Sequence, residues 1–254
     1  MNASATHLAD PLTLRAITPA ELTFYKAEGY VVLRQLIPTD TAARLHGEIM
    51  DIMDQIGLPV VKLKQTGEYL RGSTLDSYVH SAHLLSLAEQ LLEGPSTRYL
   101  PFTAGKSPGG GKFSFHQDNQ YTRHDGPSIN LWTAMMPMGE AEGSLQVLPR
   151  SHLNGTLESK AQDDGDHRMI TFDAKNWVQP TMQAGDCIAF SRLTVHGSGE
   201  NRSALPRVSY AMQFHRNDTK AFFDNRWELL STRPRFHCPA VDRITVPKGK
   251  TDGH

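Results

Sequence analysis

The chain has 254 residues, 39% of them hydrophobic and 21% charged, with a formal net charge of −1; that mixture suits a folded core and excludes a disordered chain. No basic footprint accompanies that charge, so no nucleic acid and no anionic membrane is expected as a partner. Cys187 and Cys238 are the only cysteines and form no Cys-x-x-Cys pair, which excludes a disulfide framework or structural zinc site and suits a reducing cytoplasm.

The first residues, "MNASATHLADPLTLR", lack a cationic start followed by an apolar stretch, so no export signal is visible. No run approaches the ~20 apolar residues that cross a bilayer. A cytoplasmic globular protein, monomer or homodimer, is the expectation. Thr18-Pro19-Ala20-Glu21 predicts a helix start: Thr18 can cap, Pro19 suits the first turn, and Glu21 completes a capping box. Gly29 ends that helix, and Tyr30–Leu33 reads as a short buried strand. Leu45, Ile49, Ile52, Met53 and Ile56 recur at helical spacing before Gly57. A third helix is predicted over 77–93 on Leu84, Leu87 and Leu91, closed by Gly94.

From about residue 98 the pattern changes to short β-like runs at 98–102, 112–118, 128–137, 144–148, 179–183, 186–190 and 206–216. Clusters of Gly, Pro, Asp and Asn separate them, which predicts a sandwich or barrel. The polar segment 151–176 is long for a plain connection and reads as a lid or binding loop. The tail "VPKGKTDGH" reads as loose.

Within "FSFHQDNQY" at 113–121, strand alternation puts Phe113 and Phe115 on one face and Ser114, His116 and Asp118 on the other. Spacing alone favours reading His116 and Asp118 as a hydrogen-bonded structural couple over a ligand pair. His196, which leaves a β-like run for a Gly-rich turn, supplies a third donor. Arg207 follows at the start of another strand, on a face shared with Ser209, Ala211 and Gln213; beside such small residues an anion has room, and otherwise it is a surface arginine. Two histidines and a carboxylate on a β scaffold suit a non-haem iron(II) oxygenase, whose free coordination face takes a chelating co-substrate and dioxygen. Arginine's planar fork suits the distal carboxylate of 2-oxoglutarate.

The sequence resembles the phytanoyl-CoA dioxygenase family of iron(II)/2-oxoglutarate-dependent oxygenases. The resemblance is carried by "LTFYKAEGYVVLRQLI", "HQDNQY", "WTAMMPMGEAEGSLQVLPRSH", "AGDCIAFSRLTVHGSGENRS" and Arg207. It implies a mainly β fold, a double-stranded β-helix (jelly roll, cupin-like) with flanking and mostly N-terminal helices. One domain is expected over 1–254, with a helix-rich part at 1–97, the jelly roll at 98–220 and an extension at 221–254. The resemblance further implies His116, Asp118 and His196 as iron ligands and Arg207 on the far carboxylate of 2-oxoglutarate. Ser198 lies where the family has a hydroxyl assisting that carboxylate, Trp132 where a tryptophan flanks the co-substrate, and Asn130 shares that face. Lys62 or Lys64 corresponds to an upstream polar position. Asp118 stands where related halogenases have a small residue, so hydroxylation or another oxidation of a small-molecule substrate is implied, with dioxygen consumed. Arg150 stands where the family usually has glycine.

Other motifs weigh less. "GGGK" at 109–112 lacks the spacing and following Ser or Thr of a phosphate loop and reads as a hairpin. Ser198 lacks the flanking glycines of a nucleophile elbow. His80, His83, His124, His152, His167 and His215 have no spacing for a second metal site, and Cys187 reads as core. A zinc hydrolase on the same three residues remains an alternative, as does a metal-binding jelly-roll sensor. Asn119, Gln120, Tyr121 and 151–176 should line the entrance. Arg150, Arg192 and Arg216 could meet an anionic substrate, though each reads more simply as a solvated charge.

Overall fold

The computed structural model describes residues 12, 14–55, 64–66, 69–162, 167–232 and 240–243, with the backbone alone at 64–66. Ile56, Gly57, Lys62, Cys238 and the tail lie outside the described residues. Helix α1 (Pro19–Glu28) begins on the expected capping box of Thr18 and Glu21 and ends on Gly29, whose φ of 79° is the left-handed conformation that glycine adopts without strain. Strand β1 (Tyr30–Leu33) follows, then α2 (Thr39–Gln55), which buries Leu45, Ile49, Ile52 and Met53 on one stripe. Each such side chain contributes about 1.5–3 kcal/mol when fully buried.

The expected helix over 77–93 is two helices, α3 (Thr74–His80) and α4 (Ala82–Leu92). Ser81 adopts extended backbone with ψ of 124° and accepts a hydrogen bond from the amide of Leu84, so it ends one helix and caps the next. A serine at this point offers the backbone a cap, and the chain takes it. Leu84, Leu87 and Leu91 are buried as expected.

The strands continue as β2 (Lys64–Thr66), β3 (Tyr69–Leu70), β4 (Ser96–Lys106), β5 (Phe113–His116), β6 (His124–Asp125), β7 (Ser128–Ala134) and β8 (Leu145–Val147). After them come β9 (Ser159–Ala161), β10 (Arg168–Ile170), β11 (Cys187–Ser191), β12 (His196–Ser198), β13 (Arg207–Arg216), β14 (Lys220–Phe223), β15 (Arg226–Leu229) and β16 (Ala240–Val241). A six-stranded sheet in the order β1-β11-β7-β13-β4-β2 forms one wall, and β5-β12-β8 forms the facing one. This is the mainly β double-stranded β-helix. One core cluster packs α2, α3 and α4 against the outer face of the large sheet through Leu131, Ala189, Tyr210 and Met212. Its inner face presents Asn130, Trp132, Ala211 and Gln213 to a cavity of about 380 Å³ between the walls.

Several strand expectations need correction. Residues 179–183 make only the isolated bridge Met138–Met182. The run 112–118 stops at His116, and Asp118 opens a 3-10 turn, Asp118–Gln120. His196 begins a strand rather than leaving one. The "GGGK" stretch carries the chain from the large sheet to the small one rather than closing a hairpin. Segment 151–176 holds the 3-10 turn Ser151–Asn154 and the paired strands β9 and β10.

Candidate active site

His116 closes β5 and His196 opens β12, and the two residues are direct cross-strand partners. Between Ser198–Phe113 and His196–His116 the register shifts, with β5 taking one more step than β12. That bulge breaks the alternation expected for β5. Phe113 consequently lines the cavity and meets the His116 ring edge-on at 4.8 Å, whereas Phe115 packs with Ile170, Ala174 and Val195. Asp118 reaches the histidines from the 3-10 turn, its Oδ1 lying 3.9 Å from His116 Nε2 and 3.8 Å from His196 Nε2.

Both histidines donate Nδ1–H to a backbone carbonyl, His116 to Ser114 at 2.8 Å and His196 to Thr194 at 2.9 Å. This bond fixes the tautomer and leaves each Nε2 lone pair free on the side of the ring near Asp118 Oδ1. Burial, then the neighbouring His196, hold His116 down to about 3, so it is a neutral donor. The three donor atoms lie within 4.8 Å of one another, the one group among the described residues that could hold a metal ion. Two imidazoles and a carboxylate converging on one point fit iron(II) and leave the cavity side open. Asn130 donates its amide to Asp118 Oδ2, and its own Oδ1 is buried without a partner. Gln117, fully buried, ties this turn to its surroundings through bonds to Gly155, Leu157 and Leu193.

Arg207 and Lys106 are cross-strand partners on β13 and β4, both almost wholly buried. The Arg207 guanidinium lies over the Trp132 ring, 5.3 Å from its centre, and donates to Ser209 Oγ at 3.3 Å. Lys106 Nζ donates to Ser198 Oγ at 2.8 Å and to the Gly199 carbonyl. Burial lowers Arg207 to about 10; burial, then Arg207 itself, lower Lys106 to about 7. No carboxylate lies within 4.0 Å of either cation among the described residues. Two buried cations side by side are costly unless an anion joins them.

The structure therefore brings together His116, Asp118, His196, Asn130, Trp132, Ser198 and Arg207 around one cavity. Lys62 is not described, and Lys64 is known only as backbone beside Gly105; the described lysine at this end is Lys106, which sequence reasoning missed. Its signal was available in the β13 partner strand: "FTAGK" ends opposite Arg207. Of the three residues expected at the entrance, Tyr121 lines the cavity, while Asn119 is buried against His124 and Thr156 and Gln120 bonds back to Gln117 and Leu157. Arg192 is not a solvated charge: it is buried and lines the cavity. Arg216 pairs with Asp218. Arg150 is exposed, with φ of 64°, so the turn needs the left-handed region that glycine occupies at no cost.

A jelly roll that holds His-x-Asp at the exit of one strand and a histidine on the strand beside it defines the non-haem iron(II) oxygenases. The chain belongs to the phytanoyl-CoA dioxygenase (PhyH) family, whose model matches residues 25–209, and with it to the iron(II)/2-oxoglutarate-dependent oxygenases. A phytanoyl-CoA dioxygenase of Arabidopsis thaliana is 23% identical over 273 residues, 86% of this chain and 96% of that protein. Phytanoyl-CoA dioxygenase 1 of Oryza sativa subsp. japonica is 34% identical over 121 residues, 45% of this chain and 42% of the rice protein. The human relative, named as peroxisomal, is 24% identical and is covered over 68% of its length. Among solved structures, EvdO2 from Micromonospora carbonacea var. aurantiaca complexed with 2-oxoglutarate superposes with a TM-score of 0.69 at 20% identity, covering 85% of this chain and 97% of that one. The epimerase SnoN in complex with Fe3+, alpha ketoglutarate and nogalamycin RO gives 0.63 at 18%, covering 79% and 84%. No helix among the described residues is long and apolar enough to cross a membrane.

Proposed function

We propose that the chain is a single-domain iron(II)/2-oxoglutarate-dependent hydroxylase of a small molecule, releasing succinate and carbon dioxide. The observation that carries the reading is the buried Arg207–Lys106 pair without a carboxylate, at one end of a cavity that also holds the His116, Asp118 and His196 donors. Arg207 and Lys106 would hold the far carboxylate of a dicarboxylate co-substrate whose 2-oxo acid end lies toward His116, Asp118 and His196. Bound iron would supply activation of dioxygen and of the 2-oxo acid. The chain's own residues do the rest. Arg207, Lys106 and Ser198 would hold the distal carboxylate, with Ser209 accepting from Arg207 and so bracing it; Trp132 gives the guanidinium a flat bed; Asn130 orients Asp118 so that one oxygen faces the histidines. Phe113, Phe190 and Tyr121 keep the surroundings of the donors apolar and poor in water.

A zinc hydrolase built on the same three residues would leave the Arg207–Lys106 pair without an anion. Asp118, retained beside the histidines, favours hydroxylation over halogenation. The described chain has no membrane-crossing helix, and its single described cysteine is free and buried; a cytoplasmic enzyme is the reading this supports. The test is succinate formation from 2-oxoglutarate by anaerobically purified protein on adding iron(II) and oxygen. His116→Ala, Asp118→Ala and His196→Ala should each abolish it while the fold persists. Turnover near the native rate in any of the three would contradict the ligand assignment.

A further inference from the structure

The cavity has a second cationic end. Arg192 follows β11, and its amide bonds the carbonyl of Ser128 at 3.0 Å. Ser128 pairs with His215, eight residues along β13 from Arg207, or roughly 25 Å of strand. The two arginines thus stand at opposite ends of one cavity floor, with Asn130 and Gln213, themselves paired, between them. Arg192 is 7% exposed. Its Nη2 is taken up by the carbonyls of Asp118 and Thr122, at 2.9 and 3.1 Å. The remaining N–H groups, on Nε and Nη1, have no partner among the described residues, and the guanidinium lies 5.9 Å from the centre of the Tyr99 ring. Among the described residues no carboxylate lies within 4.0 Å of it. The basic groups packed against it, His124 and His215, are held neutral by burial, His124 at about 2.

Charge counting gives the consequence. The cavity lining holds two permanent cations, Arg192 and Arg207, and one carboxylate, Asp118. Iron(II) and the 2-oxoglutarate dianion cancel each other. With both bound, at least one positive charge remains, and two when Lys106 beside Arg207 is protonated; a desolvated cation without a counter-charge is costly.

We propose that Arg192 anchors a carboxylate of the primary substrate, so that the oxidised molecule is a small organic acid whose acid group lies at the Tyr99 end. Gln213, which lines the floor two residues before His215 and whose side chain makes no hydrogen bond among the described residues, offers the same molecule a neutral polar contact. The inference rests on the oxygenase reading and narrows it to a substrate class.

The experiment uses anaerobic protein loaded with iron(II) and saturating 2-oxoglutarate, so that Arg207 is occupied. Matched pairs, hexanoate with hexanamide and phenylacetate with phenylacetamide, are titrated against the visible charge-transfer band and the melting temperature. Each acid is expected to act at a concentration at least tenfold below its amide. That preference should shrink below about threefold in Arg192→Gln and persist in Arg192→Lys, which keeps the charge, while the band itself forms in all three proteins. Equal action of acid and amide, no action of either, or a preference retained in Arg192→Gln would overturn the proposal. Should the glutamine variant fail to fold, a folded Arg192→Lys protein without acid preference overturns it and one with it supports it. Failure of the band to form in the native protein would instead overturn the oxygenase reading itself.

Discussion

Lys106 and Arg207 illustrate what single residues do when a sheet brings them together. Arg207 was legible in the sequence because an arginine on a strand face of small residues has an anion-sized space beside it. Lys106 was not, because an isolated lysine reads as solvated surface until its partner strand is known. Its lowered value, about 7, sets a direction of pH dependence. In the proposed site protonated Lys106 adds a second positive charge for the co-substrate, and raising the pH through 7 removes it, so 2-oxoglutarate binding should weaken as pH rises. Titrations at pH 6 and pH 9 should differ by about three- to tenfold in the native protein and by much less in Lys106→Met. Parallel curves would remove Lys106 from the site. Asn130 acts through another residue: it holds Asp118 Oδ2, and Asn130→Leu should weaken iron(II) binding by about 10–100-fold. Competition with a coloured chelator measures this, and an unchanged iron affinity would make the bond incidental.

At the level of elements, the helical starts and stripes were legible because caps and spacing are local: Thr18, Glu21 and Gly29 act within a few residues of one another. The breaks were harder. Ser81 splits a helix that periodicity runs through, and the β5 bulge depends on pairing with β12, which sequence order does not reveal. The same non-locality governs the turn that carries Gly143, with φ of 63°. A Cβ there would lie 2.4 Å from the Gly199 carbonyl oxygen, the group that Lys106 also bonds. Gly143→Ala combines left-handed strain with a backbone clash and should lower the melting temperature by about 5 °C or more. It should also weaken 2-oxoglutarate binding, since Gly199 must move. A variant as stable as the native chain would show that the loop yields freely.

For the whole molecule, the jelly roll places three ligand-type residues from distant parts of the chain at one point, and the fold class was legible from the many short strands after residue 98. What was not legible was how segment 151–176 joins the site. Gln117 bonds Gly155 and Leu157, Ser114 bonds Gln162, the Tyr121 hydroxyl accepts from the Arg168 amide, and the His167 ring meets Phe113. The segment is thereby coupled to the iron motif by hydrogen bonds. Loading iron(II) and 2-oxoglutarate should slow amide exchange at 155–162 and 167–170 relative to the β14–β15 hairpin. Equal protection of both regions would leave the segment as ordinary surface.

The central claim is that one cavity joins a metal site to a cation pair built for a dicarboxylate. It is tested most directly by anaerobic titration of the iron(II)-loaded protein with 2-oxoglutarate, followed by the charge-transfer band. The native protein should give the band. Arg207→Lys keeps the charge but loses the planar fork and should need more 2-oxoglutarate. Arg207→Ala leaves the buried anion unpaired, a loss of about 2–5 kcal/mol, so its midpoint should rise more than tenfold while iron binding survives. No band in the native protein, or one midpoint shared by all three, would contradict the account.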